Sequence, residues 1–263
     1  MTAVGTIASV WRYPVKSMAG ETLDRAFVSY AGVYGDRLYA FRSSASVPGF
    51  PFLTAREQHA MLRHKARFRH AERAALPANL AKAEALEPGI NPIPASPEDR
   101  VVEVETPTGA VHAVDDPAVV ASLTASLGRE HVLTLIRSDK AITDCRPLSL
   151  FSVQTAARLG AEIGAPMDPR RFRANLTLDF PGTDGFAEDA YVGRTLRLGP
   201  KATVRVLERD PRCALVTLDP DTAERDFRVL KTIQAAHDGY AGVYAAVLTE
   251  GVVRPGDAVV VED

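Results

Sequence analysis

Short runs of apolar and β-branched residues, broken by Gly, Pro and Ser clusters, dominate the opening of the chain. "TIASVWRY", "TLDRAFVSY" and "RLYAFRS" have this character and predict strands. Gly32 and Gly35 in "GVYGD" fit a tight connection between antiparallel strands. Residues 76–100, "LPANLAKAEALEPGINPIPASPEDR", are rich in Pro and Ala and interrupt the pattern, as an insertion or long loop would.

"VVEVETPTGAVHAV" reads as a hairpin turning at Pro107 to Gly109. "DPAVVASLTASLG" reads as a helix capped by Asp116, with Pro117 at its first position and Gly128 beyond its end. A strand, "HVLTLIR", follows. "PLSLFSVQTAARLGAEIG" then predicts a strand running into a helix, with Ser152 as N-cap and Gly164 closing it. Strands return in "RFRANLTLDF", "TLRLG", "ATVRVLER", "CALVTLD", "YAAVLTEG" and "DAVVVED", interrupted by one helix, "DFRVLKTIQAAHDG". Strands outnumber helices and do not alternate regularly with them. That pattern disfavours a doubly wound sheet and favours a mostly β, α+β architecture of barrel type.

Composition adds only limits. With 46% hydrophobic and 24% charged residues in 263, the chain has the make-up of a folded globular protein. A net charge of -2 with both signs interspersed offers no basic face for nucleic acid. No stretch reaches the length of a membrane span, and "MTAVGTIASVWRYPVKS" lacks the plan of a secretory signal, so a cytoplasmic protein is expected. Two cysteines, Cys145 and Cys213, are too few for a disulfide framework or for an iron–sulfur cluster.

The candidate chemistry centres on "ERDPRCALVTLDPDT". Cys213 stands among Arg209, Asp210 and Arg212, where nearby cations would favour a thiolate, although a free cysteine also serves as a small buried side chain. Cys145 reads as an ordinary semi-buried thiol. In "YPVKSMAG", Lys16, Ser17 and the turn N–H groups could cradle an anion, or Lys16 could simply be solvated. Arg37 in "YGDRLYAF" and Arg56 in "FLTAREQHA" sit at strand ends and are weak signals singly. In "RRFRANLTLDF", alternation puts Arg171, Arg173 and Asn175 on one face of an extended segment, suited to a phosphate or a heteroaromatic edge, or to solvent. The histidines fall in no metal-binding spacing, and His59, His64 and His70 lie in a stretch that reads as surface. There is no nucleophile elbow, P-loop or dinucleotide fingerprint.

Taken in order, "YPVKSMAGETLDRAFVSYAGVYGDRLYAF", "TARE", "RPLSLFS", "RFRANLTLD" and "RCALVTLDPDT" resemble the MOSC proteins, almost end to end. The similarity includes the YcbX-like branch and the mitochondrial amidoxime-reducing component. It implies an N-terminal β-rich domain over 1–115, a MOSC β-barrel domain over 116–263, a few peripheral helices and a cofactor cleft between the two parts. It implies molybdopterin carrying molybdenum, with Cys213 as the metal's thiolate ligand and as the catalytic residue. By the same resemblance Lys16, Ser17 and Arg37 match phosphate-holding positions, and Arg173 and Asn175 match positions that contact pterin or phosphate. Arg56, Ser149, Ser152, Arg212 and Thr217 fall in matching motifs. The implied activity is reduction of N-hydroxylated compounds with electrons from a separate ferredoxin- or flavoprotein-type donor. Asp210 is a candidate for proton delivery.

The chain departs from these relatives in having "ERDP" before Arg212, where a small and polar run is often found. Two other readings stay open: a metal-free sulfur-transfer protein carrying a persulfide on Cys213, and a binding module without turnover.

Overall fold

Residues 2–47, 49–85, 100–128 and 130–262 are described by the structure, a computed structural model. The chain enters as β1 (Thr2–Arg12) and passes through the short β2 (Glu21–Thr22), β3 (Ala26–Ser29) and β4 (Gly32–Val33) to β5 (Tyr39–Ser43). β6 (Lys65–Phe68) is followed by α1 (Ala71–Ala74), α2 (Leu80–Ala85), β7 (Val102–Glu105), β8 (Val111–Ala113), α3 (Pro117–Thr124) and β9 (Leu133–Arg137). β10 (Leu148–Ser152) runs directly into α4 (Val153–Ile163), and β11 (Leu176–Asp179), β12 (Thr195–Leu198) and β13 (Ala202–Pro211) follow. The chain finishes with α5 (Phe227–Ala236), β14 (Tyr240–Thr249), β15 (Gly251–Val253) and β16 (Ala258–Glu262).

Seven strands close a barrel in the order β11, β10, β14, β13, β12, β16, β1, with β1 pairing back onto β11 and β2 attached outside the ring. The expected mostly β, barrel-based α+β fold is thus the fold found. Closure removes the free edges that an open sheet of this size would present. The pairings within the ring are antiparallel except β10 with β11, which are parallel and joined by the α4 crossover. Ile7 and Val10 of β1 both reach the barrel core, although strict alternation would send them to opposite faces. A register shift between Ile7 and Ser9 reconciles the two.

A second core beside the barrel gathers Phe41, Met61, Phe68, Val104 and Leu123, and Leu218 from the far end of the sequence joins it. A third lies under the helices, where Phe151 and Phe172 stack with ring centroids 4.0 Å apart and Val216, Val229 and Ile233 pack beside them.

The Pro107–Gly109 hairpin, the Asp116 cap and the β10–α4 unit are as the sequence suggests. Several expected elements differ. "TLDRAFVSY" is broken at residues 23–25. α3 stops at Thr124 instead of running on toward Gly128. "CALVTLD" is not a strand: Ala214–Thr217 form a 3-10 turn, with Cys213 at its N-cap. "RFRANLTLDF" is extended only from Leu176, because Asp168 caps a 3-10 turn, Pro169–Phe172, and Arg173 then takes a left-handed conformation. His64 is buried, not on the surface, with its ring bonded to the Ala60 carbonyl and the Ser122 hydroxyl. Of the expected insertion over 76–100, residues 80–85 are helical, and 86–99 lie outside the described residues. Among the described residues no helix is long and apolar enough to cross a membrane.

Candidate functional site

A cleft of about 670 Å³ opens beside the barrel, and residues from both ends of the sequence line it. Lys16, Ser17, Arg37 and Arg56 come from the first part, and Ser149, Arg173, Asn175, Arg212 and Cys213 from the second. Seven cations face three acids there: Lys16, Arg37, Arg56, Arg146, Arg171, Arg173 and Arg212 against Glu57, Asp144 and Asp210. Such an excess favours an anionic occupant.

The basic end is built around Tyr13. Its buried ring lies 4.7 Å from the Arg37 guanidinium carbon and 4.3 Å from that of Arg173. Asp36 fixes the approach, accepting the Tyr13 N–H at 2.7 Å and pairing with Arg37. Arg37 also donates to the Arg173 carbonyl at 3.1 Å. Arg173 has no such carboxylate: its Nη2 is buried with no hydrogen-bond partner among the described residues. Burial lowers its pKa to about 10. Ser17, Arg37 and Arg173 all hold positive φ, at 66°, 44° and 53°. Each is a strained setting for a residue with a Cβ, costing on the order of 1–3 kcal/mol, and such strain gathers at functional sites.

Lys16 is buried, and its ammonium donates to the Ile142 carbonyl at 3.0 Å and pairs with Asp144. Burial lowers its pKa, with Arg37 and Arg173 adding to the effect against Asp144. For Asp144 burial acts upward, but Lys16, Arg37 and Arg56 outweigh it and hold the carboxyl below its ordinary range. Arg56 is exposed and lies over the Phe50 ring, 4.8 Å from its centroid. Asn175 lines the cleft, yet its amide serves the strands, accepting the Ser149 N–H at 3.3 Å and donating to the Trp11 carbonyl at 3.4 Å.

At the other end Cys213 is exposed. Arg212 before it is held by Asp210 and by the Phe172 carbonyl at 2.7 Å, while its Nε is buried with no hydrogen-bond partner among the described residues. Cys145, which the sequence suggests as semi-buried and ordinary, is exposed and lines the same cleft beside Tyr244. Burial first, then Asp144 and Asp210, push its thiol pKa up.

Two expected residues do not reach the cleft. Ser152 is buried as the α4 N-cap, accepting the Thr155 N–H at 3.0 Å and donating to the Thr155 hydroxyl at 2.8 Å. The Thr217 hydroxyl donates to the Ala214 carbonyl at 2.7 Å inside its own turn. Arg171, expected on one face with Arg173, turns to the Thr217 carbonyl at 3.0 Å and to Asp219 at 3.1 Å. Sequence reasoning missed Tyr13, Asp144 and Tyr244. Tyr13 in "WRYP" continues a strand pattern, and Asp144 and Tyr244 sit in segments without a distinguishing motif.

Among the described residues no group of three or more His, Cys, Asp or Glu is placed to hold a metal ion. The donor set suits a metal that brings most of its own ligands and takes one thiolate, on an organic carrier with an anionic tail. The orphaned Arg173 Nη2 and Arg212 Nε fit such a tail and carrier.

A family model described as the MOSC domain matches residues 137–260, and one described as the MOSC N-terminal beta barrel domain matches residues 4–130. Mitochondrial amidoxime reducing component 2 from Macaca fascicularis is 30% identical over 132 residues, which is 45% of this chain and 38% of that protein. The chain therefore aligns with well under half of that relative's length. Among solved structures, the YUAD protein from Bacillus subtilis is similar over 97% of this chain and 93% of its own, at 12% identity and a TM-score of 0.47. YiiM from Geobacillus stearothermophilus is similar over 45% of this chain and 55% of its own, at 23% identity and a TM-score of 0.35.

Proposed function

The chain belongs to the MOSC family, and from that premise we propose that it is a reductase of N-hydroxylated compounds that works with a bound molybdenum cofactor. The family is associated with that cofactor. The observation that carries the reading is Arg173, a buried guanidinium with an unpartnered Nη2 in a cleft that also holds Lys16, Arg37 and the exposed Cys213. A buried cation without a counter-charge is costly, and a phosphate would supply the missing charge.

In this reading Lys16, Ser17, Arg37 and Arg173 hold the cofactor's phosphate. Arg212 and Asn175 face its pterin, and Cys213 binds the metal as a thiolate. Arg56 and Ser149 complete the walls. Bound there, the group would supply two-electron redox chemistry to the substrate. The chain's part is to hold that group by its anionic end and to present the substrate to the thiol end. The cofactor would lie between the parts 1–115 and 116–263, and the electrons would come from a separate carrier protein.

The exposed Cys213 beside Arg212 also supports a metal-free alternative, in which the thiol carries a persulfide. One preparation separates the two. Protein made in a cofactor-competent host should contain molybdenum and should reduce a simple N-hydroxylated compound anaerobically with an artificial electron donor. Cys213→Ser should lose both properties. Protein that lacks molybdenum and carries an added sulfur on Cys213 by mass spectrometry would replace the reductase with the sulfur carrier.

A further inference from the structure

Around Cys213 the cleft is built differently from its basic end. Asp210, next to last in β13, lies on the cleft wall and is only 1% exposed. Its Oδ2 accepts from the Arg212 guanidinium and from the Ser149 hydroxyl, the latter at 3.3 Å. Oδ1 is buried and has no hydrogen-bond partner among the described residues. Two ways remain to satisfy that oxygen: a donor in the cleft must come to it, or it must carry a proton and give a hydrogen bond to something in the cleft.

The groups that face this carboxyl decide between them. Arg212 contributes the one full positive charge close by, the hydroxyls of Ser149 in β10 and Tyr244 in β14 both act on the carboxyl to favour its ionised form, and Tyr244 and Cys145, in the loop before β10, stay protonated because burial pushes both above their ordinary values. Burial of Asp210 itself outweighs Arg212 and raises its pKa. With Oδ2 occupied by two donors, Oδ1 is the atom free to hold the proton, three residues from Cys213.

We propose that Asp210 is the general acid of this cleft, delivering a proton from Oδ1 to the oxygen that leaves the substrate nitrogen. The proposal rests on the reductase reading above. The net reaction is R–NH–OH + 2 e⁻ + 2 H⁺ → R–NH₂ + H₂O. The N–O bond breaks, the nitrogen is reduced, and the carrier protein or artificial donor is oxidised by two electrons. One proton goes from Asp210 to the departing oxygen and the other comes from solvent, which then returns a proton to Asp210. Tyr244 is a poor donor for this step, since an acid far weaker than neutral transfers its proton inefficiently.

The test joins a readout that needs no cofactor to one that does. Infrared spectra of the metal-free chain should contain a protonated carboxyl band that titrates away at a pH above the ordinary carboxylate range and is missing in Asp210→Asn. In cofactor-loaded protein with an artificial donor and a simple amidoxime, Asp210→Asn should lose about 100-fold or more in kcat with KM little changed. The wild-type rate should fall as pH rises through the same titration, and Asp210→Glu should keep part of the rate and that limb. Should Asp210→Asn not fold, agreement between the wild-type infrared titration and the wild-type rate limb carries the test, and a mismatch overturns the proposal. A band that survives in Asp210→Asn, or a variant as fast as wild type at every pH, overturns the acid role while leaving the reductase standing. Wild-type holoprotein that reduces no N-hydroxylated compound removes both.

Discussion

A buried guanidinium with no paired carboxylate is held at a cost, and among the described residues Arg173 is in that position, with Asp36 and Asp144 offsetting it only in part. Its folded pKa of about 10 lies below its value in the unfolded chain, so the unfolded state binds the proton more tightly. The penalty is therefore present in full below about pH 10 and fades as pH rises beyond it. Arg173→Met should make the metal-free chain more stable at neutral pH, by about 1–4 kcal/mol in urea unfolding. The gain should shrink in alkaline buffer. Added pyrophosphate should raise the melting temperature of the wild type and leave the variant unmoved; a variant no more stable than wild type would mean the guanidinium is compensated in the free chain. The sequence made Arg173 a candidate through alternation with Phe172 and its family resemblance. Its actual placement depends on a left-handed residue after a capped 3-10 turn, which no periodicity reveals. The partnership with Tyr13 joins positions 160 residues apart and was equally hidden.

Elements whose ends carry caps were the ones the sequence described best. Asp116, Ser152 and Asp226 each accept an N–H from the first turn of the helix that follows, and Gly164 closes α4 with a φ of 68°. Elements ending in tertiary contacts were less legible. Val216 of "CALVTLD" looks like a strand residue, but it packs with Phe172 and Val229 in the helical core, and the segment coils to place it there. Ser152 shows the limit of motif matching: its hydroxyl and the Thr155 hydroxyl serve a buried network ending on Glu188, with Thr155 donating to that carboxylate at 2.8 Å. Ser152→Ala should accordingly cost about 1 kcal/mol in unfolding free energy. Its affinity for pyrophosphate should match the wild type. Weakened anion binding at intact stability would restore the residue to the cleft.

At the scale of the whole molecule, one strand holds the ring together. β1 pairs with β16 on one side and with β11 on the other, so its loss would open two edges at once. A chain lacking residues 1–12 should lose its cooperative thermal transition and bind hydrophobic dyes. Thr2 lies across from Val261 in the sheet, so the same twelve-residue segment placed after β16 through a short turn should restore the transition. A truncated chain that melts like the full one would show that the barrel does not need this seam. The barrel class was legible from the number and spacing of strands; this closure was not, because it links the chain's beginning to residues 176–179 and 258–261. That link bears on how the protein is made. Of all the barrel strands, β1 leaves the ribosome first, yet both of its partners are translated only after most of the polypeptide has appeared. Until then its apolar side chains must wait in a partly folded intermediate, and closure of the ring needs the oldest strand to dock against the youngest, β16.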